Sequence, residues 1–140
     1  EKDEQRLRES AERWKDRADF SHFIGWAARS FDGLKWGSDG LVPSSANLVP
    51  SVYSRLYRAV HNGDDREAKS MQVISDQVGQ LYQQGRPLPD SLSALKVMMK
   101  AIGLCETFVL PPLNRLGAQE EETLKAQFLA YYSNLKPLLD

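Results

Sequence analysis

The sequence predicts an α/β fold, in which two short parallel strands alternate with helices and a strand-free helical bundle follows. Three observations carry this expectation. The first 62 residues run helix, strand, helix, strand, helix, the order of βα units around a parallel sheet. Within them, Gly37-Ser38-Asp39-Gly40-Leu41-Val42-Pro43-Ser44-Ser45-Ala46-Asn47 reads as a buried strand that stops on two hydroxyls and an amide, which is poor core material and good ligand-binding material. From Asp64 onward the apolar spacing is helical, broken only by glycines and prolines.

Each element has its own justification. Leu7, Ala11 and Trp14 recur at helical spacing and predict a helix over 3–15. Asp19–Ile24 reads as a strand. Phe20, His22 and Ile24 lie on one side and Ser21 and Phe23 on the other, and apolar groups on both faces suit a strand covered on both sides. Trp26–Trp36 forms a short helix weakened by Gly33, with Gly37 at its C′ position. Asp39–Pro43 is the second strand, and Pro43, which has no amide hydrogen, ends its pairing.

Pro50 suits the first turn of the third helix, whose apolar face is Val52, Leu56 and Val60 and whose end is Asn62-Gly63. Asp64-Asp65-Arg66-Glu67 fits a capping box. Met71, Ile74, Val78 and Leu81 follow on one face. Gly85-Arg86-Pro87-Leu88-Pro89 interrupts the chain. Asp90 or Ser91 then caps a helix carrying Leu92, Leu95, Met99 and Ile102, which stops at Gly103. Pro111-Pro112 keeps Leu104–Leu116 extended. A last helix, about 118–136, shows Leu124, Phe128, Tyr131 and Leu135, and Glu120, Glu121 and Glu122 sit in its favourably acidic first turn.

The composition is that of an ordinary globular domain, 41% hydrophobic and 26% charged over 140 residues. A net charge of −1 without a basic run argues against a nucleic-acid or anionic-membrane surface. One cysteine, Cys105, excludes an internal disulfide and fits a reducing compartment, the cytoplasm. The chain lacks an initiator Met and begins directly on a helical pattern, so it is expected to be a piece of something longer. Two strands cannot complete a parallel sheet, because their outer backbone groups would go unpaired, so the remaining strands are expected from elsewhere.

Self-sufficient chemistry is hard to find. The sequence has no Walker A loop, no Gly-rich dinucleotide fingerprint and no G-x-S-x-G elbow. Two histidines and one cysteine far apart give no basis for a metal site, and nothing calls for a cofactor. His22 reads as a packed, hydrogen-bonded residue and His61 as a helix C-terminal charge. None of the eight lysines ends a strand, where a Schiff-base amine would be placed. What remains are two strand ends, Ile24-Gly25-Trp26 and Val42-Pro43-Ser44-Ser45. Gly25 leaves room for a ligand near the backbone. The serines either donate to a carboxylate or merely satisfy the turn.

These residues resemble the C-terminal half of the dihydrodipicolinate synthase / N-acetylneuraminate lyase family, from Asp19 to about Leu116. Gly25 falls where the family keeps a glycine after its seventh strand. Asp39–Asn47 resembles the eighth strand with its small polar turn ending in Asn. Gly85-Arg86-Pro87-Leu88-Pro89 resembles the G-x-P-[IL]-P linker that follows. The resemblance implies the C-terminal part of a (β/α)8 TIM barrel (residues 1–62) followed by a C-terminal helical extension (residues 63–140). It also implies a homotetramer and a lyase or synthase that binds pyruvate, or a related 2-keto acid, as a Schiff base and joins it to an aldehyde. The family's lysine, at the end of the sixth strand, would precede this chain, so no catalytic residue is expected within it.

By the same resemblance Gly25, Val42 and Ser44 bind substrate. Gly25 lies near the keto acid, the Val42 backbone faces its carboxylate, and Ser44 matches a hydroxyl-binding serine. Ala27 and Ala28 stand where sialic-acid lyases carry acidic residues, which argues against a polyol substrate. Dihydrodipicolinate synthase-like activity is the first expectation, with 2-keto-3-deoxy sugar acid aldolase as the alternative. A non-catalytic, strand-free helical interaction domain is the alternative of another kind.

Overall fold

The computed structural model describes residues 3–138. Glu1, Lys2, Leu139 and Asp140, the outer ends of the two expected domains, lie outside the described residues. The chain forms two compact units that divide between Asp76 and Gln77, inside one helix.

In the first unit, α1 (Glu4–Trp14) starts where the Asp3 carboxylate accepts the Arg6 N–H at 3.0 Å. The strands β1 (Phe23–Ile24) and β2 (Gly40–Leu41) pair in parallel, Phe23 opposite Gly40 and Ile24 opposite Leu41. Both are shorter than the expected Asp19–Ile24 and Asp39–Pro43. The Arg17 guanidinium forks onto the Asp19 carboxylate at 2.5 and 2.7 Å, and Phe20 N–H donates back to Arg17, so the entry to β1 is a turn. Among the described residues no third strand extends the ladder. Backbone pairing does continue one residue beyond each end of β2, from Asp39 N to His22 O and from Val42 N to Ile24 O, each 2.8 Å.

The predicted helix over 26–36 is two pieces, a 3-10 turn at Ala27–Arg29 and then α2 (Ser30–Trp36). Gly37 closes α2 in the left-handed conformation, as expected. Gly33 is no weakness here. A Cβ on it would lie 2.6 Å from Ile24 Cδ1, so the glycine lets α2 settle directly on β1. A second 3-10 turn, Ser44–Asn47, leads into α3 (Pro50–His61), with Pro50 in the first turn. Val52 and Leu56 are buried on it, as the spacing predicts.

Helix α4 (Asp65–Gln83) begins on the Asp64 carboxylate, which accepts the Glu67 N–H at 3.0 Å. The reciprocal half of the expected capping box is diverted, because the Glu67 carboxylate takes the Arg55 guanidinium at 2.6 and 3.0 Å. Among the described residues no helix is long and apolar enough to cross a membrane.

The second unit contains the end of α4, then α5 (Leu88–Ala101) and α6 (Ala118–Leu135). Helix α5 starts before the expected caps, with Pro87 outside it and Leu88-Pro89 in its first turn, where a missing N–H costs nothing. Asp90 lies within that first turn, and the Ser91 hydroxyl donates back to Pro87 O at 3.0 Å. The buried face is Ala94, Leu95 and Met98, rotated from the expected Leu92 and Met99 line. Leu124, Phe128 and Leu135 of α6 are buried as predicted. The stretch after Gly103 contains no helix until Ala118. Side chains of α5 pin it. Ser93 donates to Asn114 O at 2.6 Å, Lys96 donates to Phe108 O, and Lys100 pairs with Glu106 at 2.7 Å.

Candidate active site

The geometry of the β pair follows from its register. Successive side chains alternate between faces. Ile24, 2% exposed, turns toward α2, so Phe23 and Gly25, with Gly40 and Val42 across the ladder, occupy the opposite face. That face is bare. Phe23 is 55% exposed and Val42 62%. The expectation of cover on both faces therefore fails within this chain, where helices cover only one. The Phe23 ring lies over Gly40, where a Cβ would come within 2.5 Å of it. Large and small residues thus fill one layer together.

One step toward the strand C-termini lies the candidate site. Gly25 and Val42 are neighbours: a Cβ on Gly25 would meet both Val42 Cγ2 and the Val42 carbonyl oxygen at 3.9 Å. The structure thus brings together two of the three residues named from the sequence. Ser44 follows beyond buried Pro43, half-buried at the start of the 3-10 turn, and its carbonyl accepts the Asn47 side-chain amide at 2.9 Å. Asn47 therefore closes the turn.

Ser45 has the opposite orientation. It is fully buried, and its Oγ lies 2.6 Å from Tyr53 Oη, which lies 2.7 Å from Ser75 Oγ. Sequence reasoning missed this file of three hydroxyls. Its one signal was a tyrosine and a serine standing in the apolar stripes of their helices.

Beside Gly25, Trp26 lies under the Arg29 guanidinium, 5.6 Å from the ring centroid. Ala27 and Ala28 present only methyl groups, Ala28 in the open. Arg29 pairs with Glu4 and, at 3.3 Å, with Asp32. Gln72 of α4 staples this corner. It donates to Ala27 O at 3.0 Å and to the Asp76 carboxylate at 2.8 Å, and it accepts the Phe31 N–H at 2.9 Å. Burial raises the Asp76 carboxyl above its ordinary value, against the opposing pull of the Gln72 bond and the Arg29 charge.

His22 is hydrogen-bonded, as the sequence indicated, although it lies just before β1 rather than within it. His22 sits between Ser10 Oγ (3.2 Å) and Ser38 Oγ (3.0 Å), and His61 Nδ1 reaches Tyr57 O at 2.9 Å.

The profile of the Dihydrodipicolinate synthetase family matches residues 4–130. The chain belongs to that family. Within it, the chain is 31% identical over 123 residues to the probable 2-dehydro-3-deoxy-D-pentonate aldolase YjhH of Escherichia coli K12, covering 87% of this chain and 39% of the relative. It is 26% identical to the 4-hydroxy-tetrahydrodipicolinate synthase of Alkalilimnicola ehrlichii, covering 86% and 40%. Among solved structures it matches YagE, a prophage protein of E. coli K12 in the dihydrodipicolinic acid synthase family, crystallised with pyruvate. The TM-score is 0.73 and the identity 26%, over 89% of this chain and 41% of YagE.

The chain therefore spans about two fifths of the length of the family members it matches. Its own architecture is a mostly helical α/β one. Because β1 and β2 are both present, the strand-free interaction domain does not describe this chain.

Proposed function

We propose that this chain is the C-terminal portion of a Schiff-base class I aldolase or synthase that condenses a 2-keto acid with an aldehyde, or cleaves their product. Residues 1–62 supply the last βα units of a (β/α)8 barrel and residues 63–140 the helical extension. The observation that carries this reading is the bare face of the β pair. Apolar residues line it, it ends on Gly25 and Val42, and a barrel interior closed by further strands is the environment such a face requires. The two-fifths coverage of the relatives leaves room for those strands in a segment preceding this one.

In this reading the lysine amine, carried by that preceding segment, condenses with the ketone carbon and releases water; the iminium then lets its neighbouring carbon give up a proton to a base of that segment, and the resulting enamine adds to the aldehyde carbonyl. This chain supplies no catalytic residue. Gly25 keeps the site open to the three-carbon keto acid, the Val42 backbone faces its carboxylate, and Ser44 reaches toward the acceptor. The pyruvate bound to YagE supports pyruvate as the keto acid. The family resemblance supports a homotetramer, and lone Cys105 a cytoplasmic setting. Dihydrodipicolinate synthase-like condensation is the first reading. The likeness to YjhH favours a second, cleavage of a 2-keto-3-deoxy sugar acid.

The test is substitution in the complete enzyme. Gly25→Val puts a branched side chain beside Val42 and is expected to abolish borohydride trapping of pyruvate while the protein stays folded. Ser44→Ala is expected to leave trapping intact and alter only use of the aldehyde. Undiminished trapping by Gly25→Val would remove Gly25 from the site.

A further inference from the structure

We infer that Tyr53 is a positioning residue for the keto-acid site. It holds the turn after β2 through Ser45, and Ser75 of α4 holds it in turn. The inference rests on the function proposed above.

Within the turn, hydrogen bonds run between near neighbours. Ala46 N–H donates to Pro43 O at 3.0 Å, Leu48 N–H and Val49 N–H both donate to Ser45 O at 3.0 and 3.2 Å, and Asn47 donates to Ser44 O. No side chain caps its start at Pro43. These bonds set the shape of the turn, and the Val42 N–H on Ile24 O ties its start to β1. A side-chain anchor to the core is the Ser45 hydroxyl, 2.6 Å from Tyr53 Oη and, through it, linked to Ser75 at 2.7 Å.

Ser45 and Ser75 are fully buried and Tyr53 is 5% exposed, so water does not replace a lost partner. Alternation along the chain converts this anchor into a position. Val42 is exposed, Pro43 buried, Ser44 half-buried and Ser45 buried. The inward pair is fixed to the core, and that fixes the outward pair, Val42 and Ser44. Only two residues separate Val42 from Ser45, and one is Pro43, whose ring fixes its own φ and leaves little slack. Small displacements of a binding group are costly when reacting atoms must sit within a fraction of an ångström of their productive place.

The experiment uses the complete enzyme and reads the constants for pyruvate and aldehyde separately. Tyr53→Phe removes the shared hydroxyl and keeps the ring. It is expected to raise KM for pyruvate about tenfold, with kcat changed less than about twofold, because a binding interaction common to ground and transition states is loosened. KM for the aldehyde is expected to rise with it, because Ser44 is fixed by the same anchor. Ser75→Ala, which leaves the Ser45–Tyr53 contact in place, is expected to give a smaller shift in the same direction. It serves as the reading if Tyr53→Phe does not fold. Leu56→Val is the control. It thins the core of the same helix, and it is expected to lower thermal stability without moving the pyruvate KM.

If wild-type enzyme traps pyruvate with borohydride but Tyr53→Phe and Ser75→Ala leave its KM unchanged, the inference fails and the proposed function stands. If all three variants raise KM alike, the effect is one of general stability and the inference is overturned. If the wild-type enzyme traps no pyruvate, both fall together.

Discussion

Ile24 and Phe23 are consecutive residues of one strand, yet they have opposite fates. Ile24 is 2% exposed against Gly33, and Phe23 is 55% exposed over Gly40. Both are large and apolar, so hydrophobicity does not separate them. What separates them is which face this chain can cover. The helices α2 and α3 come with the strands and cover one face. In the proposed barrel, strands outside this segment would cover the other. The lesson is that the helices carried by a βα segment can bury one face of its strands and leave the other exposed.

That contrast can be broken by measurement. The largest effect is expected for Phe23→Ala in the complete enzyme, about 3–5 kcal/mol if the ring is enclosed there. The same change in the 140-residue chain is expected to cost about 1 kcal/mol or less, since Phe23 is already 55% exposed. Equal costs in the two contexts, by denaturant titration, would mean that nothing covers the inner face. Ile24→Ala should behave differently, losing about 2–5 kcal/mol in either context because its cover is local.

Next comes the hydroxyl file. Tyr53→Phe strands two buried serine hydroxyls and is expected to lower unfolding free energy by about 1–3 kcal/mol.

The smallest effect concerns Asp76. Its folded-state pKa lies above its unfolded value, so folding favours the protonated form. That contribution is complete below the unfolded value, near pH 3.9, and is lost as pH rises through the raised folded value. Asp76→Asn is therefore expected to raise the melting temperature slightly at neutral pH, by less than about 1 kcal/mol of stability because solvent screens the group. The gain should vanish as the pH approaches 4. A larger gain under acid than at neutrality would reverse the assigned sign.

Local chemistry made much of this legible in advance. Pro50 at a first turn, Gly37 at a left-handed end and the Asp64 carboxylate on the Glu67 amide each act over a few residues, and each lies where the sequence pattern placed it. The strands were overestimated because strand length depends on partners, and β1 and β2 have only each other among the described residues. The start of α5 was misplaced because Pro89 reads as a breaker, although in a first turn it is harmless. Gly25 and Val42 were visible as strand ends, and their adjacency follows from parallel register. Ser45 was not separable from Ser44 by composition. Only the fold, linking Ser45 to Tyr53 across 8 positions and Tyr53 to Ser75 across 22, shows which serine faces inward.

The most direct test is to reduce the complete enzyme with borohydride in the presence of pyruvate and to map the adduct by peptide mass spectrometry. One modified lysine is expected, lying outside residues 1–140, with all eight lysines of this chain untouched. An adduct on any of those eight, or none anywhere, would contradict it.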